Sequence, residues 1–246
     1  MLAVAAAGRS VDVVVPVYNE EAIIDSQLNP VLELLPPGFI LTVVENGSTD
    51  ETPSLLQRLR DGWPGRLRVI SLDRPNYGKA MLEGITASGA DIVITDDLDV
   101  LDTDFWSRGL ERLREGGADL VQGSKVLAGK NDRRPLLRKA STLVLTFCLR
   151  TLLGYRGTDT HGPKVFFREA LAPVARRCRM ELDILPTELV IRAQRAGLHI
   201  LEIPIHLREL RPTPLPLIRR IPRALRDLLK LALMLAREPE RPKERD

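Results

Sequence analysis

The residues of this chain best suited to chemistry are Asp96, Asp97 and Asp99, three carboxylates in four positions directly after the short apolar run 92–95. A β-rich run of that length reads as a buried strand. Alternate residues of an extended chain point the same way, so Asp97 and Asp99 can converge while Leu98 packs inward. Two close carboxylates repel unless a cation or a shared proton lies between them. Hard cations such as Mg²⁺ and Mn²⁺ take oxygen ligands, commonly one or two carboxylates together with substrate phosphates. The chemistry on offer is a divalent metal holding a diphosphate at a strand end. Taken alone, the tetrapeptide fits a solvated acidic loop better, because such loops are common.

The elements around it shift that balance. Residues 11–17 (VDVVVPV) form a near-continuous β-branched run, and 39–44, 67–72 and 120–126 are further apolar strands. Between them lie helical stretches. One opens at Tyr18-Asn19-Glu20-Glu21, with Asn19 as its N-cap, and runs to about Leu35. A second starts at Asp50 with Pro53 in its first turn, a third follows Asn76-Tyr77-Gly78-Lys79, and a fourth covers 103–115. Strands and helices that alternate in this way predict a mostly parallel sheet with helices on both faces. Ligands bind such sheets at the carboxyl ends of the strands. The polar clusters Tyr18-Asn19-Glu20, Glu45-Asn46-Gly47, Asp73 to Lys79 and Asp96 to Asp99 all fall there.

The second half is less regular. Residues 129–138 are a basic loop, 136–153 a helix with a broad apolar face, and 158–164 a polar turn before a strand at 165–167. A helix at 187–196 precedes a last strand at 198–205. A Pro-rich connector then leads to a helix starting near Pro222, with Ile221, Leu225, Leu228, Leu229, Ala232 and Leu235 on one face and Arg and Lys largely on another. Such a helix suits an anionic membrane surface and equally a packed surface position with snorkelling Arg side chains. The division expected is a body over 1–210 and a connector with a basic amphipathic helix over 211–246.

The chain has 246 residues, 44% hydrophobic and 28% charged, enough for a substantial core. Its net charge of +3 is concentrated late: from His206 onward eleven Lys/Arg face six Asp/Glu, so the body is slightly acidic. That argues against a nucleic-acid-binding surface, which needs a basic stripe on the folded body. The two cysteines, Cys148 and Cys178, have no metal-ligand spacing and suit a reducing compartment. The opening ten residues are too short for a signal peptide, and no run reaches the ~18 apolar residues of a membrane span. The expected location is cytoplasmic, peripheral on the inner face of the membrane.

Six segments, in order, resemble the family 2 glycosyltransferases of the GT-A fold, within them the polyprenol-phosphate (dolichol-phosphate) mannose or glucose synthases. They are VVVPVYNEE (13–21), VVENGSTDETP (43–53), NYGKAMLEGITASGADIVITDDLDV (76–100), GADLVQGSKV (117–126), DTHGPKVFFREAL (159–171) and ELVIRAQRAGLHILEIPI (188–205). The resemblance covers about residues 11–205. It implies an α/β GT-A fold, with a Rossmann-like, mostly parallel sheet. It also implies inverting transfer of a sugar from a GDP- or UDP-sugar, with Mg²⁺ or Mn²⁺, onto an acceptor that is most simply a lipid phosphate.

The resemblance further implies that Pro16, Tyr18, Glu20, Glu45 and Asn46 hold the nucleoside, that Lys79 approaches the donor, and that Asp97 and Asp99 bind metal and diphosphate with Asp96 beside them. Gly123-Ser124-Lys125 resembles a segment that usually ends Gly-Ser-Arg. Where Glu45-Asn46 stand the family usually has two aspartates, and Asn46 both donates and accepts, so the base preference stays open. A lipid phosphate is already ionised and needs positioning rather than a strong base. Lys125, Arg133, Arg134, Arg138 and Lys164 are the cations for that task. A hydroxyl acceptor would need a base, and Asp159 or Glu188 are the options, with His161 as a third. Asp97, Asp99, Asp159 and Lys164 form the expected catalytic set.

Two other nucleotide-binding classes lack their signatures, since no Gly-x-Gly-x-x-Gly follows a strand and no P-loop is present. A nucleotidyltransferase also uses paired carboxylates, but its Gly-rich loop would stand where Tyr18-Asn19-Glu20-Glu21 stand. The non-enzymatic alternative is an inactive, membrane-associated member of the same fold.

Overall fold

The computed structural model describes residues 1–129, 136–205 and 217–238, with the backbone alone at 136–138 and 217–221. Val11–Val17 (β1) is buried along its whole length and pairs in parallel with Phe39–Glu45 (β2) on one side and Ile92–Thr95 (β4) on the other. Leu67–Ser71 (β3) extends the sheet beyond β2. Lys164–Phe167 (β6) joins the other edge antiparallel to β4, and Leu120–Ser124 (β5) and Ile200–Pro204 (β7) complete the order β3-β2-β1-β4-β6-β5-β7.

The direction of β6 matters most for function. Because it runs against β4, its first residue Lys164 lies opposite Thr95, at the carboxyl end of the parallel strands. The turn before β6 therefore reaches the same edge as the loops after β1, β2 and β4. Strand β5, antiparallel to β6, brings Gly123-Ser124-Lys125 there as well.

One face of the sheet is covered by Leu2–Ala6 (α1), Ile24–Leu34 (α2), Thr52–Gly62 (α3) and Thr103–Glu115 (α5), whose apolar side chains join one core with β1, β2 and β4. Tyr77–Ala87 (α4), Arg168–Ala175 (α7) and Leu185–Arg195 (α8) cover the other. Leu136–Leu153 (α6) and Leu217–Arg237 (α9) pack outside α8, where Leu149, Leu153, Val190, Ile191, Leu228, Leu231 and Leu235 form a third cluster. No described helix is long and apolar enough to cross a membrane.

Several expectations are corrected. Tyr18-Asn19-Glu20-Glu21 does not open a helix; α2 begins at Ile24, and Asn19 adopts φ 52° in a loop. Its side chain accepts the Thr49 amide at 2.8 Å and its own amide reaches Ser48 Oγ at 3.0 Å, so the polar residues bind the neighbouring loop instead of capping a helix. Helices α1 and α7 were not expected. On α9 the buried stripe is Leu228, Leu231 and Leu235, whereas Leu225 and Leu229, expected on one face with Leu228 and Leu235, are exposed together with Leu233. The side chain of Ile221 and the connector at 206–216 lie outside the described residues.

Candidate active site

Thr95 ends β4 and Asp96 turns inward. Its Oδ2 accepts the Trp106 indole N–H at 2.7 Å and the Asp102 amide at 3.1 Å, and its Oδ1 accepts the Asp97 amide at 2.8 Å. Burial and then the charge of Asp97 push its carboxyl up to about 8, against those three N–H groups. Asp96, expected beside the donor, thus pins the turn to α5 from a buried position.

The turn leaves Asp97 half-buried, Leu98 buried and Asp99 exposed, the alternation expected from the sequence. Tyr77 Oη donates to Asp97 Oδ1 at 2.8 Å. The two carboxylates present hard oxygen donors at the open edge of the sheet, a set that fits Mg²⁺ or Mn²⁺. No group of three or more His, Cys, Asp or Glu could hold a metal among the described residues, so a cation here would complete its shell with diphosphate oxygens and water.

Among the residues expected to hold the nucleoside, Tyr18 is exposed, Pro16 stays buried inside β1, and Glu45 accepts the Ser48 amide at 2.5 Å. The Glu20 amide donates to Thr52 Oγ1 at 2.8 Å, which locks the loops after β1 and β2 together. Asn46 is buried, and its Oδ1 accepts the Asn76 amide at 2.7 Å. Its acceptor oxygen is thereby committed to the start of α4. Lys79, in the first turn of α4, is exposed.

Lys164 lies beneath the site. Its amine, buried among protein atoms, donates to the carbonyls of Gly162 at 2.9 Å and Thr160 at 3.1 Å. Strand register sets Thr95, Lys164 and Gln122 side by side on one face of the sheet, all three buried. Burial lowers the ammonium to about 8, opposed by the charges of Asp159 and Asp97. The amine of Lys164, expected in the catalytic set, is thus engaged by the turn before β6.

Asp159 is buried and accepts the His161 amide at 2.9 Å and the Lys125 amide at 3.1 Å. Burial raises its carboxyl, but the Lys125 ammonium and these amides outweigh burial and hold it below the usual range. A general base works best with a pKa near the working pH, so Asp159 is poorly placed as one. Glu202 carries the turn by accepting the Thr158 amide at 2.8 Å and its hydroxyl at 2.6 Å. A Cβ at Gly162 would run into the Gly123 carbonyl, which is why this close crossing of β5 and the turn needs glycine.

Both ring nitrogens of His161 are engaged, Nδ1 with Thr160 Oγ1 at 3.0 Å and Nε2 with the Asp183 carbonyl at 2.9 Å. Burial and the Lys125 charge lower its pKa. Its imidazole is a structural strut. Glu188 is fully buried, accepts the amides of Arg179 and Met180, and pairs with Arg192 at 2.6 Å, so it is no base either.

A cleft of ≈ 210 Å³ opens between this turn and α6, lined by Lys125, Asp159 and His161 and, from α6, by Thr142, Leu145, Thr146 and Leu149. A second hollow of ≈ 190 Å³ continues past Val126, Leu143, Phe147 and Arg150. Of the expected acceptor cations, Lys125 is at the cleft, Arg133 and Arg134 lie outside the described residues, and Arg138 is described in backbone only. Tyr77 and Glu202 were missed, because their contacts join residues 20 and 44 positions apart and leave no local pattern.

A family model described as Glycosyl transferase family 2 matches residues 12–174, a span that contains the Asp97/Asp99 turn and the Asp159 turn. The chain belongs to this family. Glycosyltransferase AglD of Haloferax volcanii is 30% identical over 226 residues, 89% of this chain but 36% of its own length. Dolichyl-phosphate hexose transferase of the same organism is 29% identical over 80% of this chain and 82% of its own. Among solved structures, glucosyl-3-phosphoglycerate synthase of Mycobacterium tuberculosis in complex with UDP superposes with a TM-score of 0.62 at 25% identity, over 94% of this chain and 83% of that one. The same synthase has been crystallised with Mn²⁺ and UDP; that structure, at 22% identity and a TM-score of 0.64, compares in fold. The fold is GT-A: a mostly parallel α/β sheet with helices on both faces.

Proposed function

We propose that this family 2 glycosyltransferase moves a sugar from a nucleoside diphosphate donor, UDP- or GDP-linked, onto a polyprenyl phosphate, with inversion and with Mg²⁺ or Mn²⁺ bound by Asp97 and Asp99. The observation that carries the reading is the pairing of two sites on one sheet edge. The carboxylate turn Asp97–Asp99 shares that edge with a cleft lined by a cation, Lys125, and by Thr142, Leu145, Thr146 and Leu149 of α6. A lining that combines a cation with leucine side chains suits a phosphate carrying a hydrocarbon tail. The name of the dolichyl-phosphate hexose transferase supports the acceptor class, and the UDP of the synthase makes UDP the first nucleotide to test.

The chemistry follows from the side chains. Tyr18 and the laced loops after β1 and β2 would seat the nucleoside, and Asp97 and Asp99 would orient the diphosphate through the cation. When bound, that cation offsets the negative charge that develops on the leaving diphosphate. Lys79 adds positive charge at the same end of the donor. Lys125 holds the acceptor phosphate, whose oxygen forms a bond to the anomeric carbon as the carbon–oxygen bond to the diphosphate breaks. No enzyme nucleophile takes part, so one displacement inverts the anomeric centre. The acceptor oxygen arrives ionised, which is consistent with Asp159 being held below the range of a useful base.

Leu143, Val144 and Phe147 on α6 are 57%, 61% and 67% exposed, and Leu225, Leu229 and Leu233 make a second exposed apolar row on α9 amid Arg223, Arg226 and Lys230. Apolar rows with basic flanks suit peripheral attachment to an anionic leaflet, which we assign to the inner face of the membrane. The body over 1–210 is the catalytic unit. The segment over 211–246 supplies a helix that docks back on α6 and α8 through Leu228, Leu231 and Leu235.

Melting curves with UDP, GDP, dTDP and ADP, each with and without Mn²⁺, test the donor half. A ligand of the native state raises Tm with the logarithm of its concentration over Kd. The expected result is a rise with UDP or GDP that depends on Mn²⁺. No rise with any nucleotide would remove the donor site.

A further inference from the structure

We propose that Tyr77 is a positioning residue for Asp97, the last link of a hydrogen-bonded chain that runs from Asn46 at the end of β2, through Asn76, to the carboxylate assigned to the cation. The inference rests on the metal role proposed for Asp97 and adds to it the groups that aim this carboxylate.

The chain starts where Asn46 Oδ1 accepts the Asn76 amide at 2.7 Å. Asn76 is the N-cap of α4: its Oδ1 accepts the Lys79 amide at 3.0 Å and, across the fold, the Leu182 amide at 3.2 Å. These bonds settle where the first turn of α4 begins. Tyr77 is the first residue of that turn, and its hydroxyl donates to Asp97 Oδ1 at 2.8 Å.

The helix start cannot drift away from Asp97. A Cβ at Gly78 would stand 2.8 Å from Leu185 Cβ and 2.9 Å from the Leu182 amide, so α4 is already pressed against the 3₁₀ turn Leu182–Ile184 and the head of α8. Asp97 is held from its other side by its own amide, which donates to the buried Asp96 at 2.8 Å. The backbone of Asp97 and one of its two oxygens are therefore fixed before any ligand arrives. A metal-ligating carboxylate depends on such outer partners, and their loss costs about 10–100-fold in metal affinity or activity.

The same chain joins the two halves of the donor site. Asn46 lies in the loop expected to face the nucleoside, and Asp97 in the turn expected to face the diphosphate. A nucleoside that settles the Asn46 loop would also settle the start of α4, and with it Asp97.

The test is Mn²⁺ affinity of the full chain, read from the electron-paramagnetic-resonance signal of free Mn²⁺ at fixed UDP, for wild type, Tyr77→Phe and Asp97→Asn. Tyr77→Phe keeps the ring and its packing and removes only the donor. The expected result is a Kd for Mn²⁺ raised about tenfold in Tyr77→Phe, with an unchanged melting temperature in the absence of metal. A ring that only fills space would leave the Kd unchanged, and that result overturns the proposal. Asp97→Asn separates the two levels of the argument. If it loses Mn²⁺ while Tyr77→Phe keeps it, the positioning role alone falls. If Asp97→Asn binds Mn²⁺ like wild type, the metal reading falls and the role of Tyr77 with it.

Discussion

Asp99→Ala is expected to lower donor turnover about a thousandfold while the protein melts at the wild-type temperature. Asp99 is exposed on the open side of the turn after β4, and a surface substitution of this kind changes stability by less than about 0.5 kcal/mol. What it removes is one of the two carboxylates proposed to hold the cation. Metal stabilisation of a leaving group contributes several kcal/mol to the barrier, and ~4 kcal/mol corresponds to about 10³ in rate. Turnover of the nucleotide sugar and a melting curve on the same preparation check both halves of the expectation. Wild-type turnover would remove Asp99 from the metal site.

Lys164→Met should be both less stable and less active, for reasons that start in the core. The amine donates to the carbonyls of Thr160 and Gly162, and Met leaves both acceptors buried without that donor. Each unmet acceptor costs ~1–3 kcal/mol, and part of that is returned because an ammonium no longer has to be buried, for a net loss of about 2 kcal/mol. Activity should fall by tenfold or more, on the order of the losses seen when an outer partner of a metal ligand is removed, because Asp97 and Asp159 lose a positive charge that acts on both.

The pH dependence identifies the cause. The folded-state ammonium titrates at about 8, against 10.5 ordinarily, so between those values the unfolded chain holds a proton that the folded chain has shed. Stability contributed by this group therefore rises with pH from about 8 to 10.5. Urea unfolding across that window should show the rise in wild type and its absence in Lys164→Met. Parallel curves would mean that Lys164 titrates in the fold as it does in the open chain.

Much of the fold was legible because its signals are local. Helices α5 and α6 lie at the residues expected, and β1 and β4 likewise, since each combines an unbroken period with a clear stop at both ends. The carboxylate turn was legible for the same reason: an apolar strand that ends in alternating aspartates has one sensible geometry. The direction of β6 was not, because a four-residue apolar strand reads the same either way, and only its pairing with Thr95 brings the Asp159 turn to the site. The burial of Lys164 was not legible because lysines are almost always at the surface, and nothing in Gly162-Pro163-Lys164 reports that it lies between two other strands. Asn19 was read as a cap because Asn before two Glu suits a helix start, yet the loop after β2 offered its side chain stronger partners. On α9 two apolar rows run side by side, and the repeat alone does not say which of them meets α6 and α8.

The most direct test of the central claim is transfer itself, with radiolabelled UDP- and GDP-sugars, polyprenyl phosphate in anionic phosphatidylglycerol vesicles, and Mn²⁺. The account predicts that the protein floats with the vesicles and that label from one donor passes into the lipid extract, only when both the metal and the phosphorylated lipid are present. Label released as free sugar, or label in no product with any donor although nucleotide and Mn²⁺ bind, would contradict a polyprenyl phosphate as the acceptor.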